Sequence, residues 1–338
     1  MSCLGHIERT MRERLIGQDA AIATLLPPLA RYVARMSDPR RPALTALLLG
    51  PTGVGKTETA RALARAIFGS DDRLTIIRCE EYVYGHNIAK LIGSPPGYVG
   101  YQIEPLLTQS KLEAVGRGAT MLEGFPPEPF SIVLFDEIEK AHADLWHSLI
   151  GLLEDATVML ANNQPTLLAR AAIFLTSNVG SAEVGALLGA RRAGFGAGRP
   201  SSAGWGAVAE AATEAARRTF PAEFLNRLDV IQTYGPLSAS TLAAILDRLL
   251  VDLHERLLAA GIPLVVNVTP AARRHLVERG TDPRYGARPL RRALERELVD
   301  ALAQLVAAGY AEAGAVVDVG AESGVLTFEH GPLLGVCH

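Results

Sequence analysis

Lysine is scarce in this chain: it occurs four times in 338 residues, and arginine supplies the rest of the 33 basic side chains. The formal net charge is −3 and no segment carries a dense basic run, so nucleic acid is not an expected partner. Alanine is abundant too, and the arginine preference reads as a coding bias without mechanistic weight. Cysteine is equally thin. Cys3, Cys79 and Cys337 lie far apart and match no metal or redox spacing, which points to a reducing compartment. No uninterrupted apolar run approaches membrane-spanning length. The opening segment carries Glu8, Arg9, Arg12, Glu13 and Arg14 with no apolar stretch behind it, which excludes a secretory signal. A cytoplasmic protein with no membrane partner is expected. Hydrophobic content of 49% with 20% charge describes a globular chain, long enough for two domains.

Against these absences stands one dense motif. Gly50-Pro51-Thr52-Gly53-Val54-Gly55-Lys56-Thr57 follows an apolar run from Leu44 to Leu49 and precedes an amphipathic stretch from about Glu58 to Phe68. In that strand–loop–helix setting the glycines let consecutive backbone N–H groups turn toward a polyphosphate, and the helix adds its positive dipole end. Lys56 is placed to reach the β and γ phosphates, and the Thr57 hydroxyl to ligate magnesium. A second apolar run, Ile132 to Phe135, ends in Asp136-Glu137. Those carboxylates emerge at the carboxyl edge of a buried parallel strand, where such sheets bind ligands. Asp136 is assigned to magnesium, through water, and Glu137 to polarising the attacking water.

Strands expected over Ala43–Leu49, Thr75–Arg78, Ser131–Phe135 and Ala171–Thr176 alternate with helices, the pattern of an α/β fold with a parallel sheet. Gly180 to Gly206 reads as a flexible excursion or weak helix. After Pro236 the character changes: Leu242, Ile245, Leu246, Leu249, Leu250, Leu253 and Leu257 fall on one helical face. A strand at Leu264–Val268, helices at Pro270–Arg279 and Pro289–Ala308, and a hairpin of Val316–Val319 with Val325–Phe328 follow. The expected division is a large α/β nucleotide-binding domain over 1–235, a smaller and mainly helical domain over 236–325, and a tail over 326–338.

Several further segments carry a family resemblance. Leu91-Ile92-Gly93-Ser94-Pro95-Pro96-Gly97-Tyr98-Val99-Gly100-Tyr101, Phe135-Asp136-Glu137-Ile138-Glu139-Lys140-Ala141-His142, Thr176-Ser177-Asn178, Phe224-Leu225-Asn226-Arg227-Leu228-Asp229 and Tyr285-Gly286-Ala287-Arg288-Pro289-Leu290 occur in this order. Together with the phosphate loop they resemble the second ATPase module of the Clp family of AAA+ protein unfoldases, over roughly residues 13 to 320. The resemblance implies a P-loop AAA+ sheet with flanking helices, a helical lid domain, and a homo-oligomer, a ring of six, with ATP at each interface. Asn178 resembles the family's polar sensor; alone it would read as a strand-end cap. Arg227 is similar to an arginine finger extended into a neighbour's γ-phosphate, its alternative being a surface ion pair with Asp229 or Glu223. Arg288 resembles the lid arginine that contacts phosphate within the same chain. Ile16 and Gly17, ahead of Gln18-Asp19, look like the adenine-side segment, although Gly17 also suits a plain turn.

Tyr98, with Val99 beside it, resembles the pore-loop aromatic that grips an unfolded polypeptide through non-directional apolar contact. The implied activity is an ATP-driven protein unfoldase or remodelling chaperone acting on protein clients, with an adaptor possible. The chain departs from the family in three places. Gly116 to Pro129 looks like an inserted loop, a candidate for substrate delivery. Glu154 to Leu160 lacks the family's Asp-Gly-Arg hairpin signature, which puts a second pore loop in doubt. Arg191 to Gly196 has only Ala193 where a docking loop for the ClpP protease needs an apolar residue, so a linker is preferred to docking. A dedicated remodeller of one assembly, a nucleotide-gated scaffold and a nucleic-acid remodeller are the competing readings. Glu137 and Arg227 speak against the scaffold, and the weak basic character against nucleic acid.

Overall fold

The computed structural model describes residues 2–94, 97, 102–185, 187, 202–262, 264–282, 286–309 and 315–331. They fall into two compact units, Met1–Pro51 with Gly55–Gly235, and Thr52–Val54 with Pro236–His338.

The first unit is built on β1 (Leu44–Leu49), β2 (Thr75–Arg78), β3 (Ser131–Asp136), β6 (Ala171–Ser177) and β7 (Val230–Thr233), in the order β2-β3-β6-β1-β7. Every pairing is parallel. All residues of β1 and β6 are buried, which is why these strands read as continuous apolar runs rather than alternating ones. The register sets Leu49 opposite both Ser177 and Thr233, and Arg78 opposite Asp136. The carboxyl ends of β1, β3 and β6 therefore share one edge. Helix Lys56–Phe68 carries the chain from β1 toward β2 across two intervening strands, burying Ala60, Leu63, Ala64 and Ile67.

The structure differs from the sequence expectations at two points in this unit. The sheet has a fifth strand, β7. Residues 157–167 form a two-stranded antiparallel hairpin, β4 (Thr157–Met159) with β5 (Pro165–Leu167), despite lacking the expected signature. Its turn uses Asn163 at φ +61°, a conformation asparagine tolerates, and the Asn162 side chain accepts from the Gln164 amide at 3.0 Å. The segment Gly116–Pro129, expected as an inserted loop, is pinned to the domain: Phe125 is buried, its ring lies 5.7 Å from Tyr32 and 5.0 Å from Phe130, and the Leu122 amide donates to Ile67 O. Within the excursion expected over 180–206, a helix starts at Ser202 and runs to Thr219. Residues 191–196, where protease docking was weighed, lie outside the described residues.

The second unit packs helices Ala239–Ala259, Pro270–Arg279 and Arg288–Ala307 on a sheet of β8 (Val265–Val268), β9 (Val316–Glu322) and β10 (Val325–Gly331), ordered β10-β9-β8. The last helix contains a π-helical turn over Leu294–Val299, which periodicity alone does not reveal. Ser238 and Thr269 cap the first two helices by accepting from Thr241 and Ala272 amides. Leu242, Leu246, Leu250 and Leu253 sink into the core beside Leu276, Leu290, Leu294 and Leu298, each worth about 1.5–3 kcal/mol of burial. β10 continues through Gly331, into the stretch expected as tail. No helix among the described residues is long and apolar enough to cross a membrane.

Candidate functional site

The shared carboxyl edge gathers the groups singled out in the sequence. The loop after β1 bends through Gly50 at φ +137° and Gly55 at φ +110°. A Cβ on Gly50 would lie 2.7 Å from Tyr234 O, so glycine is required there by close approach as well as by conformation. Lys56 opens the helix and is buried at 7% exposure. Its ammonium donates to Gly50 O, to Pro51 O at 2.8 Å and to Asn178 Oδ1 at 2.8 Å. A buried ammonium needs such acceptors, and backbone carbonyls are ones it can exchange for phosphate oxygens.

From β3, Asp136 Oδ1 accepts from Thr57 Oγ1 at 3.2 Å and from Thr176 Oγ1 at 2.5 Å. Glu137 steps off the strand at φ +58°, and its amide donates to Thr176 Oγ1 at 3.0 Å. One carboxylate oxygen of Glu137 accepts from Asn178 Nδ2 at 3.2 Å, and the other from Lys140 Nζ. Asn178, just beyond β6, thus bridges Lys56 and Glu137, while its own amide donates to Glu139 at 3.0 Å. Lys140 also lies 3.7 Å from Glu80. The hydrogen bond to Glu137 raises the Lys140 ammonium above the usual lysine range, which keeps it charged.

Lys56, Thr57, Asp136, Glu137 and Asn178 are thus brought together. Thr57 and Asp136 present the hard oxygen donors that magnesium selects, and the loop, Lys56 and the start of a 13-residue helix present donors to a polyphosphate. The residues fit both groups. Ile16 is half-buried beside Gly17, which turns at φ +79°, and Gln18 Nε2 donates to Gly235 O at 3.2 Å.

Arg227 is not gathered at this edge. Arg227 ends the helix Ala222–Asn226, and its carbonyl accepts from Arg41 and Thr45 side chains next to the first residues of β1. That is the amino edge of the sheet, one strand away from Lys56. Its ion-pair partner is Glu154 at 2.9 Å, not Glu223 or Asp229; Asp229 instead accepts from the Thr45 amide and hydroxyl. Arg288 opens a helix of the second unit and is exposed. Tyr98 and Val99 lie outside the described residues.

Sequence reasoning missed Tyr234, and quoted Lys140 only within a family-like segment without giving it a role. Tyr234 is fully buried beneath the phosphate loop, with its hydroxyl 2.6 Å from Thr59 Oγ1 and its amide donating to Leu49 O. Burial raises its phenol above the ordinary tyrosine value. A tyrosine directly before Gly235-Pro236 at a strand end was the available signal.

The sheet order, the phosphate loop and the carboxylate edge define a P-loop ATPase module of AAA+ architecture. The chain belongs to the AAA domain (Cdc48 subfamily) family, whose model matches residues 41–231. The model of the C-terminal, D2-small domain of ClpB protein matches residues 237–319. Chaperone protein ClpB of Pseudomonas putida is 36% identical over 322 residues, covering 95% of this chain and 34% of that protein. Chloroplastic chaperone protein ClpC1 of Oryza sativa is 36% identical over 328 residues, covering 96% and 34%. A closed-state cryo-EM reconstruction of Hsp104 with ATPγS and FITC casein superposes with TM-score 0.78 at 26% identity, over 97% of this chain and 51% of that one. The chain spans about a third of the length of these curated relatives.

Proposed function

We propose that this module hydrolyses ATP in a ring of copies of itself, with six members, and couples hydrolysis to unfolding or remodelling of protein clients. The observation that carries the reading is the separation of Lys56 and Arg227. They sit at opposite edges of a sheet in which β1, the strand that leads into the loop, has six residues, roughly 20 Å. A guanidinium there cannot serve its own chain's loop, which supports the reading that it acts on the pocket of an adjacent copy. Large relatives named as chaperones, and a neighbour reconstructed with casein, support protein as the substrate class.

In this mechanism Lys56 exchanges Gly50 and Pro51 carbonyls for β- and γ-phosphate oxygens. Thr57 and Asp136 would hold magnesium, which would supply positive charge that offsets the phosphates. Glu137 takes a proton from the attacking water, and Asn178 keeps the carboxylate and Lys56 in register. Arg227 of one copy offsets charge on the γ-phosphate bound by the next, and Arg288 contacts phosphate from the lid. Ile16 and Gly17 hold the adenine; Tyr98 and Val99 grip the client. The domain limits 1–235, 236–325 and 326–338, an adaptor-fed ring and a cytosolic setting, favoured by unpaired Cys3 and Cys79, complete the proposal.

Glu137→Gln tests it. ATP binding and assembly are retained while phosphate release falls by about 10²–10⁴, read in single turnovers. Unchanged turnover removes Glu137 as the base. Tyr98→Ala keeps ATPase activity and loses unfolding of a tagged fluorescent protein; persistent unfolding refutes the pore-loop role.

A further inference from the structure

Helix Ala143–Asp155 joins the two edges of the sheet. It starts just past the Glu137 turn, has 13 residues, and so spans roughly 20 Å at 1.5 Å per residue. At its beginning Trp146 Nε1 donates to Ile138 O at 3.0 Å, and its ring meets Phe220 edge-on at 5.3 Å. Phe220 in turn lies 5.7 Å from Phe224 on the short helix that ends at Arg227. At the far end Glu154 takes the Arg227 guanidinium at 2.9 Å. One helix therefore touches both the residue after the proposed base and the proposed finger.

The pairing does not satisfy Arg227 fully. Its Nε is buried with no hydrogen-bond partner among the described residues, whereas the Glu154 side chain is 46% exposed. A guanidinium with a buried, unmet donor gains from a richer acceptor, and a carboxylate with water access is released at little cost. A γ-phosphate offers more oxygens and more charge than one carboxylate.

The geometry points to Glu154 as a positioning residue that parks Arg227 against its own chain until the phosphate of an adjacent copy competes for it. This rests on the reading of Arg227 as a finger acting between copies. Glu154 then sets how readily the finger is handed over, and through Trp146 the state of the Glu137 turn biases the same helix. Nothing in this role touches the chemical step, so it alters engagement between copies and leaves the turnover of engaged copies alone.

The test uses the full chain as wild type, Glu154→Gln, Arg227→Ala and the double variant. ATPase activity is measured against subunit concentration, and assembly is followed by sedimentation in Mg-ATPγS. Glu154→Gln is expected to lower the half-assembly concentration about two- to fivefold, the size of an exposed ion pair, with kcat at saturation within about twofold of wild type. In the Arg227→Ala background the same substitution shifts nothing. Three results overturn the parking role: a fall in kcat with assembly unmoved, an unchanged profile, or an equal shift in the Arg227→Ala background. Wild-type turnover by Arg227→Ala overturns the finger itself and the parking with it, whereas a dead Arg227→Ala beside an unshifted Glu154→Gln overturns the parking alone. Glu154 is half exposed near a helix C-terminus, where an acid is unfavourable, so its neutralisation does not threaten folding.

Discussion

The two units treat buried polar groups in opposite ways. Among the described residues the first buries Gln18, Thr45, Lys56, Thr59, Ser131, Thr166, Thr176, Ser177 and Thr233, and the second only Thr241 and His275. Buried polar groups are costly unless each has a partner, and in the first unit Lys56, Thr59 and Thr176 find theirs along the edge where β1, β3 and β6 end. The second unit is a leucine core with capped helices. One unit therefore trades stability for chemistry at a defined edge, while the other is held by packing.

That contrast can be broken by substitution. Leu276→Ala in the second unit should lower unfolding stability by about 2–5 kcal/mol, read from the urea midpoint; nucleotide affinity falling with it would show that the small unit is not merely packing. Lys56→Met should do the reverse. Loss of a charged donor weakens nucleotide binding on the order of 10- to 100-fold, measured by titration calorimetry, with little change in the urea midpoint. A large stability loss would mean Lys56 mainly neutralises carbonyls.

Tyr234→Phe removes the hydroxyl contact to Thr59 and should cost about 1 kcal/mol while sparing catalysis, since Thr59 keeps its bond to Gly55 O. A selective loss of nucleotide affinity would instead make Tyr234 a brace of the phosphate loop. The smallest effect is alkaline. Tyr32 is pushed up to about 12, chiefly by burial and then by Glu128. Its stabilisation is whole below about pH 10, the free-tyrosine value, and is lost as pH rises toward about 12. Tyr32→Phe should flatten that limb of a stability–pH curve, and an unaltered limb would assign it to other phenols such as Tyr82.

How much of this was legible in the sequence follows from how local each signal is. β1 announces itself as five apolar residues around a single Thr45 before a glycine loop, and Asp136-Glu137 as carboxylates at the end of an apolar run. β7 does not: Val230-Ile231-Gln232-Thr233 is half-buried, carries a polar residue mid-strand, and exists by virtue of pairing with β1. That the loop Gly116–Pro129 is pinned was not legible, because its glycines and prolines outweigh Leu122 and Phe125, the residues that hold it. Glu154 entered only as the start of a stretch lacking a signature, since its own meaning lies in Arg227, distant in sequence and brought close by the fold.

Glu137 sits on a left-handed backbone, a conformation that costs a residue with a side chain about 1–2 kcal/mol. Glycine or asparagine would rest there more comfortably. A search for heat-tolerant variants that scores melting alone should therefore discard the proposed base early, yielding a hardier protein that grips its nucleotide and does nothing with it.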